Sequence, residues 1–238
     1  MQSVRTRSSR PSTRPAGKRG NPYFVGREKE TRAIIRALAQ EKNVILSGKY
    51  GMGRSSLVGH VADTMHEGWL FVFVDFAQTP ARASNDLFTA LFPKRKRGSG
   101  KDYVRYKASR FQIANLDLED ERQHVLVLDN IGELSRSRQA FVRYLSWDSS
   151  FRFVAIVEAF VPKEDLFALR ALLKPALTLS LGYLPASSCR AFFRHFSQKY
   201  HFNWAEERIA SLVKTTGGYP LGMKEAVARE MAKHLGRA

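Results

Sequence analysis

The chain has 238 residues, a formal net charge of +17, 44% apolar and 26% charged residues, and one cysteine, Cys189. That length can bury the core of one large domain, or of one domain with a small appendage, and the single thiol excludes an intrachain disulfide framework and suits a reducing, cytoplasmic setting. The sequence has no run of 18 apolar residues, so no membrane-spanning helix is expected, whereas a cationic surplus of this size draws polyanions, nucleic acid first among them.

Residues 1–21 carry Arg5, Arg7, Arg10, Arg14, Lys18 and Arg19 among Ser, Thr, Pro and Gly, with no acidic residue. With almost nothing apolar to bury, this segment reads as a disordered basic tail. It holds six of the seventeen surplus charges and leaves eleven on the rest of the chain. Such an arm adds affinity for nucleic-acid phosphates, or acts as a transit peptide or a solubilising tail; the sequence leaves all three open.

Order is expected from Asn21-Pro22-Tyr23-Phe24-Val25-Gly26 onward. After Gly26, Ala33, Ile34, Ala37 and Leu38 recur at helical spacing to about Gln40, with Arg27, Glu28, Lys29, Arg32 and Arg36 pointing elsewhere. A short strand over 44–47 leads into Gly48-Lys49-Tyr50-Gly51-Met52-Gly53-Arg54-Ser55-Ser56, and a helix follows over about 54–66. The spacing is that of a phosphate-binding loop, G-x-x-x-x-G-K-[ST], with arginine where lysine is expected. Glycines let backbone N–H groups converge on phosphate oxygens, and the helix N-terminus adds partial positive charge.

A continuous apolar strand over 69–75 ends in Asp75, and a helix with Leu87, Phe88 and Leu91 is expected over 84–92. Lys94, Arg95, Lys96 and Arg97 then form an exposed cationic loop, read either as a solvated insertion or as a nucleic-acid contact. A polar helix or turn over 103–122 leads to Val125-Leu126-Val127-Leu128-Asp129-Asn130. Four apolar residues ending in aspartate form a Walker B candidate, whose carboxylate would hold Mg²⁺ beside the hydroxyl of Ser55. A helix with Phe141, Val142 and Leu145, a strand over 151–157 ending at Glu158, and a strand over 177–181 follow. Five strands, most of them separated by helices, give an α/β fold with a mostly parallel sheet. Ligands in such sheets sit at the carboxyl ends of strands, where Gly48, Asp75, Asp129 and Glu158 all fall.

From about Gly182 the pattern is helical only. One helix carries Cys189, Phe192, Phe193 and Phe196; a second runs over 204–214; Gly217-Gly218-Tyr219-Pro220 breaks the chain before a last helix with Met223, Ala226, Val227 and Met231. The expected organisation is a basic tail (1–21), an α/β domain (22–182) and a small helical lid (183–238). No H-E-x-x-H, paired Cys/His or G-x-S-x-G pattern occurs, so neither structural zinc nor a serine hydrolase is expected.

Taken together, Phe24-Val25-Gly26-Arg27-Glu28, the phosphate loop, Asp129, Leu184-Pro185-Ala186-Ser187 and Gly217-Gly218-Tyr219-Pro220 resemble AAA+-related P-loop ATPases of the STAND and archaeal-ATPase type, similar also to Orc/Cdc6 and transposition ATPases. The resemblance implies a P-loop NTPase fold that binds ATP or ADP with Mg²⁺. It implies that residues 22–25, including Tyr23 and Val25, line the adenine pocket and that Pro220 approaches the base and ribose. Met223 and Lys224 lie near where relatives carry a lid arginine, for which Lys224 could substitute. The loop from Gly48 to Ser56 would hold the phosphates; Ser55 and Asp129 would hold the metal.

The sequence departs from that pattern in three ways. Arg54 replaces the loop lysine; guanidinium still pairs with phosphate but is planar and bulkier, which alters transition-state geometry. Asn130 stands where an acidic residue commonly polarises the attacking water, and Glu158 at the neighbouring strand end is one candidate stand-in. Several arginines (Arg136, Arg138, Arg143 and Arg170) are candidates for a finger, and none is singled out. Lys49 sits where another P-loop class carries a second lysine, and either supplies an ammonium group or faces solvent. The expected function is an ATP·Mg²⁺-binding switch or assembly factor with slow hydrolysis, oligomeric or bound to a protein partner. Alternatives are a nucleotide-regulated DNA-binding accessory and a degenerate scaffold.

Overall fold

The computed structural model describes residues 23–92, 113, 120–147 and 151–235. The basic tail, the cation cluster at 94–97 and most of the segment 103–122 lie outside the described residues. Helix α1 (Glu28–Ala39) precedes β1 (Asn43–Gly48), α2 (Arg54–Thr64), β2 (Trp69–Asp75), α3 (Pro80–Leu91) and β3 (Gln123–Ile131). Then follow α4 (Arg136–Ser146), β4 (Phe151–Glu158), α5 (Lys163–Leu172) and β5 (Ala176–Leu181), and finally α6 (Ala186–Lys199), α7 (Glu206–Thr216) and α8 (Pro220–Leu235).

The five strands pair in the order β2-β3-β4-β1-β5, and every pairing is parallel. Alternation within each strand sends neighbouring side chains to opposite faces. Ile45, Leu126, Leu128, Phe153 and Ala155 pack with Leu87 of α3, Phe141 of α4 and Leu169 of α5 on one face. Val44, Leu46, Val125, Val127, Val154 and Ile156 pack with Ile34 and Leu38 of α1 and Leu57, Val58 and Val61 of α2 on the other. Because both faces are covered, the strands read as unbroken apolar runs. A third cluster joins Cys189, Phe192 and Phe193 of α6, Ile209 and Leu212 of α7, and Met223 and Val227 of α8, with Tyr23, Val25 and Leu184 against it. The N-terminal segment before α1 therefore packs on the C-terminal helices.

Helix α3 begins at Pro80, four residues earlier than its apolar spacing alone suggests. Proline at the first helical position has φ already set and lacks only an N–H that would have no intrahelical partner. The larger correction concerns Arg27, expected to face away from the core: it is 5% exposed. Gly26 is left-handed (φ 76°) just before α1, and the buried Arg27 side chain pairs with Glu30 of the first helical turn at 3.0 Å while its other nitrogen reaches inward.

His124, at the start of β3, is 4% exposed and meets the Phe151 ring edge-on at 6.3 Å. Burial pushes its pKa down, against the pull of nearby Asp120. The unfolded chain therefore takes up the proton first, so this contribution to stability is complete above the ordinary histidine pKa of about 6.5 and is lost as pH falls through the lower folded value. Asp120 acts in a separate window. The Arg122 guanidinium lowers its carboxyl to about 2, so its contribution is present above the ordinary carboxylate range and is lost progressively as pH falls through that range to about 2. Thermal melts between pH 7.5 and 5 should show a decline in Tm that His124→Leu flattens; an unchanged slope in the variant would assign the decline to other groups.

Candidate functional site

Gly48, Asp75, Asp129 and Glu158 meet along one edge because parallel registry aligns their strands. Gly48 pairs with Glu158, and Asp75 with Asp129. From Gly48 the chain turns through Gly51 (φ 76°) and Gly53 (φ 81°), the residue that caps α2. A Cβ on Gly53 would meet no heavy atom within 4 Å, so the space beside that residue is open. Met52 is 2% exposed and anchors the loop in the core beneath the sheet edge.

At the start of α2, the Ser55 hydroxyl donates to Asp129 Oδ1 at 3.1 Å, which unites the two residues read as metal ligands. Burial is the main influence on the Asp129 carboxyl and raises its pKa; the Ser55 hydroxyl, the Asn130 N–H and the Arg54 charge pull it down, and Asp75 pushes it up. Asn130 takes a left-handed conformation (φ 62°) at the irregularity where β3 and β4 lose register, and its backbone N–H donates to Asp129 Oδ1 at 2.9 Å. Its side-chain amide donates to Asp75 Oδ1 at 3.1 Å, so Asn130 ties two strand-end carboxylates together. The oxygen donor set of Ser55, Asp129 and Asp75 is the hard kind that suits Mg²⁺.

Arg54, read as a phosphate partner, is 7% exposed and faces the end of β4. Its Nη2 donates to both Glu158 oxygens, at 2.7 and 2.6 Å, and its Nη1 donates to the Val157 carbonyl. Glu158, read separately as a stand-in base, is thus the direct partner of the loop arginine. Lys49 is exposed, with its Nζ 5.9 Å from the centre of the Tyr183 ring. Tyr50 is 74% exposed. Of the candidate finger residues, Arg138 is bound to Glu133 and donates to the Ala77 carbonyl at 3.1 Å, whereas Arg136, Arg143 and Arg170 are exposed.

Beside the loop lies a cavity of about 450 Å³, open to solvent, with walls that include Tyr23, Phe24, Val25, Met52, Gly53, Ser56, Leu184, Phe192, Pro220, Met223 and Lys224. Tyr23, Val25 and Pro220 therefore meet in one place although they come from opposite ends of the chain. Tyr23 stacks on His195 of α6, with centroids 3.9 Å apart and planes 6° from parallel, which fixes the ring as a wall. Apolar walls with a few polar groups suit a flat heteroaromatic ligand.

Two groups that sequence reasoning passed over hold the halves together. Arg27 donates to the Gly182 carbonyl at 2.5 Å and reaches the Met52 carbonyl at 3.5 Å, linking the start of α1, the end of β5 and the loop. Tyr219 donates to the Tyr50 carbonyl at 3.0 Å, and the Leu221 N–H donates to the Gly51 carbonyl at 3.2 Å. The turn before α8 therefore sits directly on the glycine loop. The only sequence signals were the Gly-Arg pair and the Gly-Gly-Tyr-Pro turn, neither of which names its partner.

A family model described as Novel STAND NTPase 1 matches residues 15–220. A search of curated proteins returned no match. Among solved structures, the Walker-type ATPase of Pyrococcus abyssi is 14% identical, with 90% of this chain and 72% of that one covered and a TM-score of 0.60. Hsp104 of S. cerevisiae, in its ADP complex, is 17% identical over 86% of this chain with a TM-score of 0.55, and this chain spans 30% of its length. Orc1 of Aeropyrum pernix, in complex with DNA, is 15% identical, with 89% and 66% covered and a TM-score of 0.50. At these identities the structural likeness is one of fold, and it agrees with the parallel sheet and the loop built here. The family match covers most of the chain, and the chain belongs to the Novel STAND NTPase 1 family, whose P-loop NTPase fold these structures share.

Proposed function

We propose that this chain binds ATP and ADP with Mg²⁺ and works as a nucleotide-dependent switch with slow hydrolysis. The observation that carries the reading is the Ser55–Asp129 pair at the mouth of the glycine loop, next to the open cavity walled by Tyr23, Val25 and Pro220. The base would enter between Tyr23, Val25 and Pro220. Backbone N–H groups from Gly51 to Ser56 would face the phosphates, aided by the N-terminus of α2. Ser55 and Asp129 would hold Mg²⁺, which when bound neutralises phosphate charge and orients the oxygens. The burial that raises the Asp129 pKa leaves a carboxyl whose ionised form a cation would favour. Asn130 offers an amide in place of a carboxylate, and both Glu158 oxygens are taken by Arg54, so neither of the two residues read as activating water is free to do so. That is the basis for slow turnover.

The division into an α/β unit (22–182) and a lid (183–238) fits this role, since Tyr219 and Leu221 contact the loop through groups that a bound nucleotide would displace or tighten. The output would be assembly with further copies or with a protein partner, in the reducing cytoplasm that the lone thiol suits; no helix among the described residues is long and apolar enough to cross a membrane. Equilibrium titration with a fluorescent ATP analogue, with and without Mg²⁺, should give saturable binding that Mg²⁺ strengthens. Absence of saturable binding in both conditions would sink the proposal and leave the scaffold reading.

A second reading draws on the charge surplus. Eleven excess cations outside residues 1–21, with the cluster Lys94, Arg95, Lys96 and Arg97, would let nucleotide state govern loading on DNA. The Orc1 structure that shares this fold is a complex with DNA. DNA affinity should fall steeply with salt and drop on removal of residues 1–21 or neutralisation of 94–97. Affinity indifferent to both changes would exclude this route.

A further inference from the structure

We propose that three exposed aromatic rings along the carboxyl edge of the sheet, Phe160, Tyr50 and Tyr183, form a platform on which successive bases of a single-stranded nucleic acid stack, with Lys49 on its phosphates. The proposal rests on the nucleic-acid reading above and names a surface and a form of strand for it, apart from residues 1–21 and 94–97.

The sheet itself lays out the row. Gly48 of β1 lies opposite Glu158 of β4 on one side and Leu181 of β5 on the other. Two residues beyond each member of that registered triple stands an aromatic side chain: Phe160 after β4, Tyr50 after β1 and Tyr183 after β5. These rings are 75%, 74% and 55% exposed, which leaves a large apolar area facing water at one edge. The turn before α8 braces two of them. The Tyr219 hydroxyl donates to the Tyr50 carbonyl at 3.0 Å, and its ring meets that of Tyr183 with centroids 6.4 Å apart. Phe160 runs beside Gly132, where an added Cβ would come within 3.3 Å of its Cε2.

Charge and spacing select the occupant. Lys49 adjoins Tyr50, and its Nζ lies 5.9 Å from the centre of the Tyr183 ring, so a cation stands within the row. The residues flanking the three rings include no acid, and Glu158, two places before Phe160, is paired with Arg54 at 2.6 Å. The whole chain carries a net charge of +17. Exposed π faces beside a cation on a basic chain suit a polyanion whose monomers are themselves flat rings. Neighbouring strand ends step by about 4.8 Å, wider than the rise of about 3.4 Å per nucleotide in a duplex. An unpaired, extended strand can follow that step with its bases turned onto the rings; a duplex keeps its base faces stacked inside.

The test is fluorescence anisotropy of the full chain with labelled oligothymidylate, oligouridylate and a matched duplex, each of about 15 nucleotides, over a range of salt. Both single strands should bind about tenfold or more tightly than the duplex, because every base has a π face, and the tighter of the two identifies the strand. Tyr50→Leu, Phe160→Leu and Tyr183→Leu each remove a π face at an exposed position and keep apolar bulk. Each should weaken single-strand binding about tenfold and leave duplex binding within about twofold, while Tyr50→Phe and Tyr183→Phe keep the natural affinity. Lys49→Gln should lower the salt slope for single strands by about 0.7. Single-strand affinity that survives the three leucine changes together, or equal affinity for single strand and duplex in the natural chain, would overturn the platform while nucleic-acid binding itself stands. Binding of none of the three probes would remove the underlying reading as well.

Discussion

Replacing Asp129 by asparagine should abolish the Mg²⁺ dependence of nucleotide binding and lower ATP turnover by at least about 100-fold, roughly 2.7 kcal/mol of transition-state stabilisation. The substitution removes one charge and almost no volume. Ser55 retains an oxygen acceptor at the position where its hydroxyl now donates at 3.1 Å. Because burial disfavours the ionised carboxyl of Asp129, a neutral amide should leave the fold as stable as before or more so. Paired measurements of Tm and of nucleotide affinity with and without Mg²⁺ separate the two effects. A variant with unchanged Tm that keeps its Mg²⁺ response would show that the metal site lies elsewhere. Loss of folding would contradict the account of why this carboxyl is strained.

Alanine at Gly218 should loosen the helical lid and cost about 2–5 kcal/mol, the sum of a left-handed residue gaining a Cβ and a steric overlap in a packed region. Gly218 has φ of 80°, and a Cβ there would overlap the Leu184 carbonyl oxygen and lie 3.0 Å from the Leu184 nitrogen. These are backbone atoms, which cannot rotate aside. The same pair makes the 2.8 Å bond from the Leu184 N–H to the Gly218 carbonyl, and Leu184 lines the cavity. Chemical denaturation should show the loss, and binding of a fluorescent nucleotide should weaken with it because Tyr219 and Pro220 follow directly. Alanine at Gly217 is the control. It has φ of 54° but no heavy atom within 4 Å of a Cβ, so it carries the conformational cost without the overlap. Equal losses at the two positions would mean that backbone conformation, not the clasp with Leu184, sets the cost.

The fold was readable because its signals are local and redundant. Val125-Leu126-Val127-Leu128 announces a strand covered on both faces, and the glycine spacing from Gly48 to Gly53 names a loop between strand and helix. Parallel strands need crossover connections, so their order in the chain already implied that strand ends gather on one edge. The meeting of Ser55 with Asp129 followed from that logic. The resemblance placed Tyr23, Val25 and Pro220 at one pocket, and these three residues line one cavity.

What remained hidden depends on pairings between residues far apart in the chain. Arg54 and Glu158 are 104 positions apart, and each had a separate expected role. The alignment of Gly48 with Glu158 across β1 and β4 brings them together, and a guanidinium that can satisfy a carboxylate at short range will do so. Arg27 read as a surface cation because helical periodicity describes only the side of α1, and the left-handed turn at Gly26 falls before the period begins. The sequence by itself determined the α/β layering, the phosphate loop and the carboxylate edge, since each follows from short patterns that backbone geometry must obey. The tertiary structure alone decided which charges neutralise one another and which turn rests on the loop, because electrostatic pairing and steric contact depend on distances that chain order does not contain.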